Sequence, residues 1–96
     1  MTTYVIGHLK VENWHWYKQY AGEVGELIKK YNGEYLASGT RVECLEGRME
    51  NMDAIVILKF PTAEDARGWY NDPAYKPLIE LRDQGSSTVL TLIEQA

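Results

Sequence analysis

Cysteine, phenylalanine and proline are scarce in this 96-residue chain, which has one, one and three of them. A single cysteine, Cys44, excludes an internal disulfide and a cysteine-based zinc site, and it fits a reducing, cytoplasmic setting. The opening MTTYVIGHLKV has no basic segment followed by a long apolar stretch, so it does not read as a signal peptide. The longest apolar run, Ala54 to Leu58, is far short of a membrane span. Basic residues are outnumbered, 10 Lys and Arg against 14 Asp and Glu, for a net charge of -4. That balance argues against nucleic acid, whose phosphates call for clustered Lys and Arg. Repeats, low-complexity segments and an internal linker are all missing, which leaves one domain over residues 1–96. So are a phosphate loop, a Rossmann fingerprint, a nucleophile elbow and a zinc motif, and neither a bound cofactor nor a metal is expected.

What is present is ordinary for a globular domain, with 45% apolar and 25% charged residues. A chain this long buries roughly 60 to 70 per cent of its unfolded surface, enough for one core. The aromatics are less ordinary, because seven Tyr and three Trp stand against one Phe. Such rings with a polar tip favour interfaces and ligand pockets, although partly buried core positions at layer edges suit them too.

The patterning predicts alternating elements. TYVIGHLKV reads as a first strand. A helix from about Trp14 to Tyr31, with Asn13 as N-cap, places Tyr20, Val24, Leu27, Ile28 and Tyr31 on one apolar arc. Asn32-Gly33 ends it, with Gly33 suited to the left-handed position. A second strand is expected over Glu34–Leu45 and a third over Asp53–Phe60, stopped by Pro61. TAED opens a second helix with a capping-box-like start, and Asn71-Asp72-Pro73 breaks it. A further helical piece covers about Ala74–Gln84, and a Gly85-Ser-Ser turn leads into a last strand, TVLTLIE.

This order is the ferredoxin-like β-α-β-β-α-β plan, an α+β fold in which both helices cover one face of a four-stranded antiparallel sheet. Strands three and four are apolar at both parities: Val56 and Leu58 against Ile55 and Ile57, Val89 and Ile93 against Leu90 and Leu92. A sheet with one wet face would alternate apolar with polar residues. The simplest cover for the second face is the same sheet of a second copy, so a homodimer with sheets packed face to face is predicted.

Taken together, YVIGHLKVEN, YNGEYLASGTRVECLEG, ILKFPTAEDARGWYNDPAYKPLIELR and TLIE resemble the domain-of-unknown-function 1330 family, within the dimeric α+β barrel superfamily. The resemblance implies a ferredoxin-like protomer and a dimer. It implies little about activity, since the structural relatives include cofactor-free monooxygenases, small isomerases, decarboxylases and haem-binding proteins, and fold does not fix function. Relatives typically read YGGRYLARGG where this chain has YNGEYLASGT. Two arginines, at positions 34 and 38, are thus replaced by Glu34 and Ser38, which removes charge for an anionic ligand unless Arg41 substitutes.

The candidate site residues are His8, Arg41, Trp69, Tyr70, Tyr75 and Arg82. A strand histidine can act as a general base near neutral pH, which makes His8 the best catalytic candidate and the one conceivable haem ligand; more often such a histidine is hydrogen-bonded structure. His15 is expected to be exposed. Arg41 can bind a carboxylate or phosphate bidentately, or simply form an ion pair with Glu43 or across chains while Gly39 marks a bulge or a close helix approach. Trp69, Tyr70, Tyr75 and Arg82 can line a small pocket, or pack as a loop with Tyr75 as a lid. Cys44 has no neighbour that would activate its thiol. Three functions fit: a homodimer that binds a small aromatic or acidic molecule, a cofactor-independent enzyme of monooxygenase or isomerase type, and a dimer without a small-molecule site.

Overall fold

The computed structural model describes residues 1–96. Its elements run β1 (Thr3–Val11), α1 (Tyr17–Lys30), β2 (Glu34–Gly39), β3 (Ala54–Phe60), α2 (Ala63–Asn71), α3 (Lys76–Asp83) and β4 (Ser86–Glu94). The strands form one antiparallel sheet in the order β2-β3-β1-β4, the ferredoxin-like arrangement. No helix is long and apolar enough to cross a membrane.

Alternation along β1 decides which side chains go under the helices. Val5 and Leu9 are buried, whereas Tyr4, Ile6 and His8 between them point to the other face. Val5 lies opposite Leu58 and Leu92, and Gly7 opposite Val56 and Leu90, so these residues share the covered face. Val24, Leu27 and Ile28 from α1, Ala66 and Trp69 from α2, and Tyr75 and Leu78 pack there as one core with Val5, Leu58 and Phe60. Burying an aliphatic side chain of this size stabilises the fold by roughly 1.5–3 kcal/mol. The opposite face carries Ile6, Ile55 and Ile57 half-buried and Val89 and Ile93 more than half exposed, and no helix packs on it.

Several boundaries differ from the sequence reading, each for a local reason. The first helix begins at Tyr17, not Trp14, because Trp14–Trp16 form a turn in which Tyr17 N–H donates to the Trp14 carbonyl at 3.1 Å. Asn13 caps that turn and not the helix: its Oδ1 accepts from His15 N–H at 3.2 Å. The left-handed residue after α1 is Asn32, φ 64°, which Asn tolerates. Gly33 is needed for space instead, since a Cβ there would lie 2.5 Å from Phe60 Cε1. The second strand ends at Gly39 because Gly39 already lies opposite Ile55, next to the first residue of β3. Residues 40–53 therefore have no strand to pair with. The bulge falls between Tyr35 and Ala37, not at Gly39, where an added Cβ would meet nothing within 4 Å. Ser86 and Ser87 belong to β4, paired with Val11 and Lys10, and not to a turn. Thr62 does cap α2, its Oγ1 accepting from Asp65 N–H at 3.1 Å.

Candidate functional site

Between α1 and the covered face of the sheet lies a cavity of about 620 Å³, within the size range of small-molecule sites. Its floor is Leu9, Val56, Leu58 and Leu90, and its roof is the face of α1 that carries Tyr17, Tyr20, Ala21 and Val24. The bulge in β2 lets both Tyr35 and Ser38 reach it. Trp14, Tyr17 and Tyr35 form a rim, each close to half exposed. Partial burial, with Tyr20 and Tyr17 nearby, pushes the Tyr35 phenol up to about 12.

From that rim a chain of rings leads inward. Trp14 stacks on Trp16 at 5.8 Å, Trp16 meets Tyr20 edge-on at 5.5 Å, and Trp69 lies 4.6 Å from Tyr75. Trp16 is fixed by its own N–H, which donates to the Asn13 carbonyl at 2.7 Å. Gly85 presses against the same corner, and its carbonyl accepts from the N–H groups of Glu12 and Asn13 at 2.8 and 3.2 Å.

At the inner end three polar groups meet. The hydroxyls of Tyr20 and Tyr75 are 2.6 Å apart, and Arg82 Nη1 donates to the Tyr75 hydroxyl at 3.0 Å. Tyr75 is fully buried, and its phenol is pushed far above the usual value by burial and by Tyr20 beside it. Burial opposes the charge on Arg82, but Tyr75 and Tyr20 beside it outweigh that, and its pKa is raised. The cavity therefore ends on two paired hydroxyls backed by a buried cation. Asp72 holds this corner in place: its Oδ2 accepts from Tyr31 Oη at 2.5 Å and from Lys30 Nζ at 3.0 Å, and its Oδ1 accepts from Ala74 N–H at 2.8 Å.

Of the residues singled out from the sequence, Trp69, Tyr75 and Arg82 come together on this cavity. Tyr70 touches Tyr75 edge-on at 6.0 Å but borders a second, adjoining cavity of about 340 Å³. His8 lies on the opposite face of the sheet, so it lines neither cavity, and its carbonyl accepts from Asn51 Nδ2 at 3.3 Å. Arg41 is exposed in the 40–53 connection, as is Cys44. No three His, Cys, Asp or Glu side chains are grouped closely enough to hold a metal ion. Sequence reasoning assigned Tyr20 to the core face of α1 and gave Trp14, Trp16, Tyr17 and Tyr35 no site role. The density of rings in NWHWYKQY was the available signal.

The family model described as "Domain of unknown function (DUF1330)" matches residues 2–96. No curated protein matches the chain. Among solved structures, a Rhodopseudomonas palustris protein of unknown function is similar at 15% identity and TM-score 0.81, over 99% of this chain and 82% of that one. SnoaB, a cofactor-independent oxygenase from Streptomyces nogalater, is similar at 10% identity and TM-score 0.70, over 99% of this chain and 93% of that one. A dimeric ferredoxin-like protein of unknown function from Thermobifida fusca is similar at 15% identity and TM-score 0.57, over 99% and 92%. At these identities the likeness is one of fold.

Proposed function

Because this chain belongs to the DUF1330 family, a domain of unknown function, the functional reading rests on its own geometry: we propose that it binds a small, flat organic molecule in the cavity under α1. The observation that carries this is the cavity itself, about 620 Å³ walled by Trp16, Tyr17, Tyr20 and Tyr35 and ending at Tyr75 and Arg82. Aromatic walls favour a ring that can stack or meet them edge-on, and the inner hydroxyls orient one polar substituent. His8 and Arg41 have no part in this site.

A thermal-shift screen of phenols, quinones and small aromatic acids tests the reading. A ligand that binds only the folded state stabilises it by about 2.7 kcal/mol at a hundred times its Kd. Stabilisation by at least one class, lost when Ala21→Trp fills the cavity, is expected. A screen in which no member moves the melting temperature sinks the proposal.

The chain of Tyr20, Tyr75 and Arg82 favours a second reading, cofactor-independent oxidation of a phenolic substrate; the Streptomyces nogalater protein is described as a cofactor-independent oxygenase. Dioxygen uptake in the presence of a hydroquinone, lowered by Tyr75→Phe, is its signature. Uptake no faster than with heat-denatured protein excludes it.

The uncovered apolar face of the sheet supports a homodimer built by packing that face on its copy, and the Thermobifida fusca relative is described as dimeric. The lone thiol of Cys44 fits a reducing, cytoplasmic location.

A further inference from the structure

We infer that the cavity takes its ligand as an anion, an aromatic carboxylate whose charged group is held at the inner wall by Arg82, Trp69 and Thr88. This rests on the reading that the cavity binds a flat aromatic molecule, and it adds which kind.

Three side-chain atoms at that wall are buried and have no hydrogen-bond partner: Trp69 Nε1, Arg82 Nε and Thr88 Oγ1. Their residues border both the large cavity and the smaller one beside it, so they form the partition between the two. Buried polar groups are rarely left unpaired, and two of these, an indole N–H and a guanidinium N–H, can only donate. Trp69 and Arg82 are 2% and 6% exposed, so bulk water does not satisfy them. The fourth unpartnered atom, His8 Nδ1, lies on the other face of the sheet and is unrelated.

Charge narrows the ligand further. No Asp or Glu lines either cavity, while Arg82 lines both and Arg67 lines the smaller. Asp83 forms a long ion pair with Arg82, 3.7 Å from Nε, which is beyond hydrogen-bond range, and its side chain is 55% exposed. That solvated partner offsets only part of the charge on a buried guanidinium, and a ligand carboxylate supplies further charge together with acceptor oxygens. A quinone or an alcohol would supply an acceptor but no charge. With Nη1 bonded to the Tyr75 hydroxyl, Nε is the guanidinium nitrogen that is buried without a hydrogen-bond partner.

The test is isothermal titration of naphthoate against naphthamide, which share a ring system and differ in charge. Naphthoate should bind at least about tenfold more tightly, the range expected of hydrogen bonds to a charged group. Trp69→Phe, which keeps a ring and removes the N–H, and Thr88→Val should each cut that preference several-fold. Arg82→Met should abolish it; if that variant does not fold, the two milder ones decide. Equal binding of the two probes by the unmodified protein leaves the aromatic cavity standing and overturns the anion assignment. So does a preference that survives both milder substitutions unchanged. Binding of neither probe removes the cavity reading and this inference with it.

Discussion

The hydroxyls of Tyr20 and Tyr75 are 2.6 Å apart although they come from separate elements, one from the first turn of α1 and the other from the residue that opens α3. Their pairing closes the inner end of the cavity, and Arg82 Nη1 donates to the Tyr75 side of it. Tyr75→Phe removes the acceptor for a buried guanidinium as well as the partner of Tyr20. It should cost about 1–3 kcal/mol of stability, the range for leaving a buried donor unpaired. Tyr20→Phe leaves Arg82 bonded to Tyr75 and should cost about 1 kcal/mol. Urea unfolding of both single variants and the double variant measures this. Costs that add without coupling would show that the two hydroxyls act independently.

Asp72 fixes where Tyr75 stands, and its chemistry predicts an acid transition. The Tyr31 hydroxyl, the Ala74 N–H and Lys30 bond its carboxylate and hold its pKa at about 2, below the usual carboxylate value. A carboxyl whose pKa is lower folded than unfolded contributes stability that is complete above the unfolded value, about 3.9. That contribution is lost as pH falls through the folded value. Melting temperature followed from neutral pH down to pH about 2 should therefore drop more steeply below pH about 4 in the native chain than in Asp72→Asn, which starts lower and has less to lose. Parallel curves would remove Asp72 as the source.

Gly85 has a steric role. A Cβ at this position would lie 2.5 Å from Asn13 Oδ1 and 2.7 Å from Trp16 Cδ1. Gly85→Ala has to push Trp16 aside, and overpacking of this kind costs about 1–3 kcal/mol. Because Trp16 walls the cavity, the variant should lower the melting temperature and weaken ligand binding together. A variant as stable as the native chain would show that the corner yields freely.

Much of this fold is legible in the sequence because its local signals agree. The arc of Tyr20, Val24, Leu27 and Ile28 on α1, the FP stop and the Thr62 cap each specify one element and do not conflict. Three features are not legible. The bulge at β2 adds one residue against β3, which turns Tyr35 and Ser38 both toward the cavity, and no residue type in EYLASG announces it. The side of His8 is the second. Parity groups it with Tyr4 and Ile6, but parity alone does not say which side of β1 receives the helices. Tyr20 is the third, since a half-buried tyrosine at helical spacing looks the same whether it fills a core or lines a cavity.

The uncovered sheet face yields the last prediction. Ile6 and Ile57 are paired across β1 and β3 near its centre, and Val89 and Ile93 lie farther out at 51% and 55% exposure. Contiguous apolar surface of this kind marks an interface in a soluble protein. If two copies pack through it, Ile57→Glu places a carboxylate in the middle of the contact. There it has no partner, and burying it costs more than the interface gains. Within one protomer the same side chain stays half in water, so the fold should survive. Light scattering at micromolar concentration should give about twice the 11.0 kDa chain mass for the native protein and the single-chain mass for the variant. A native protein that scatters as a monomer would leave this face without a partner. A variant that remains dimeric would move the interface elsewhere, with the edge strands β2 and β4 the next surfaces to test.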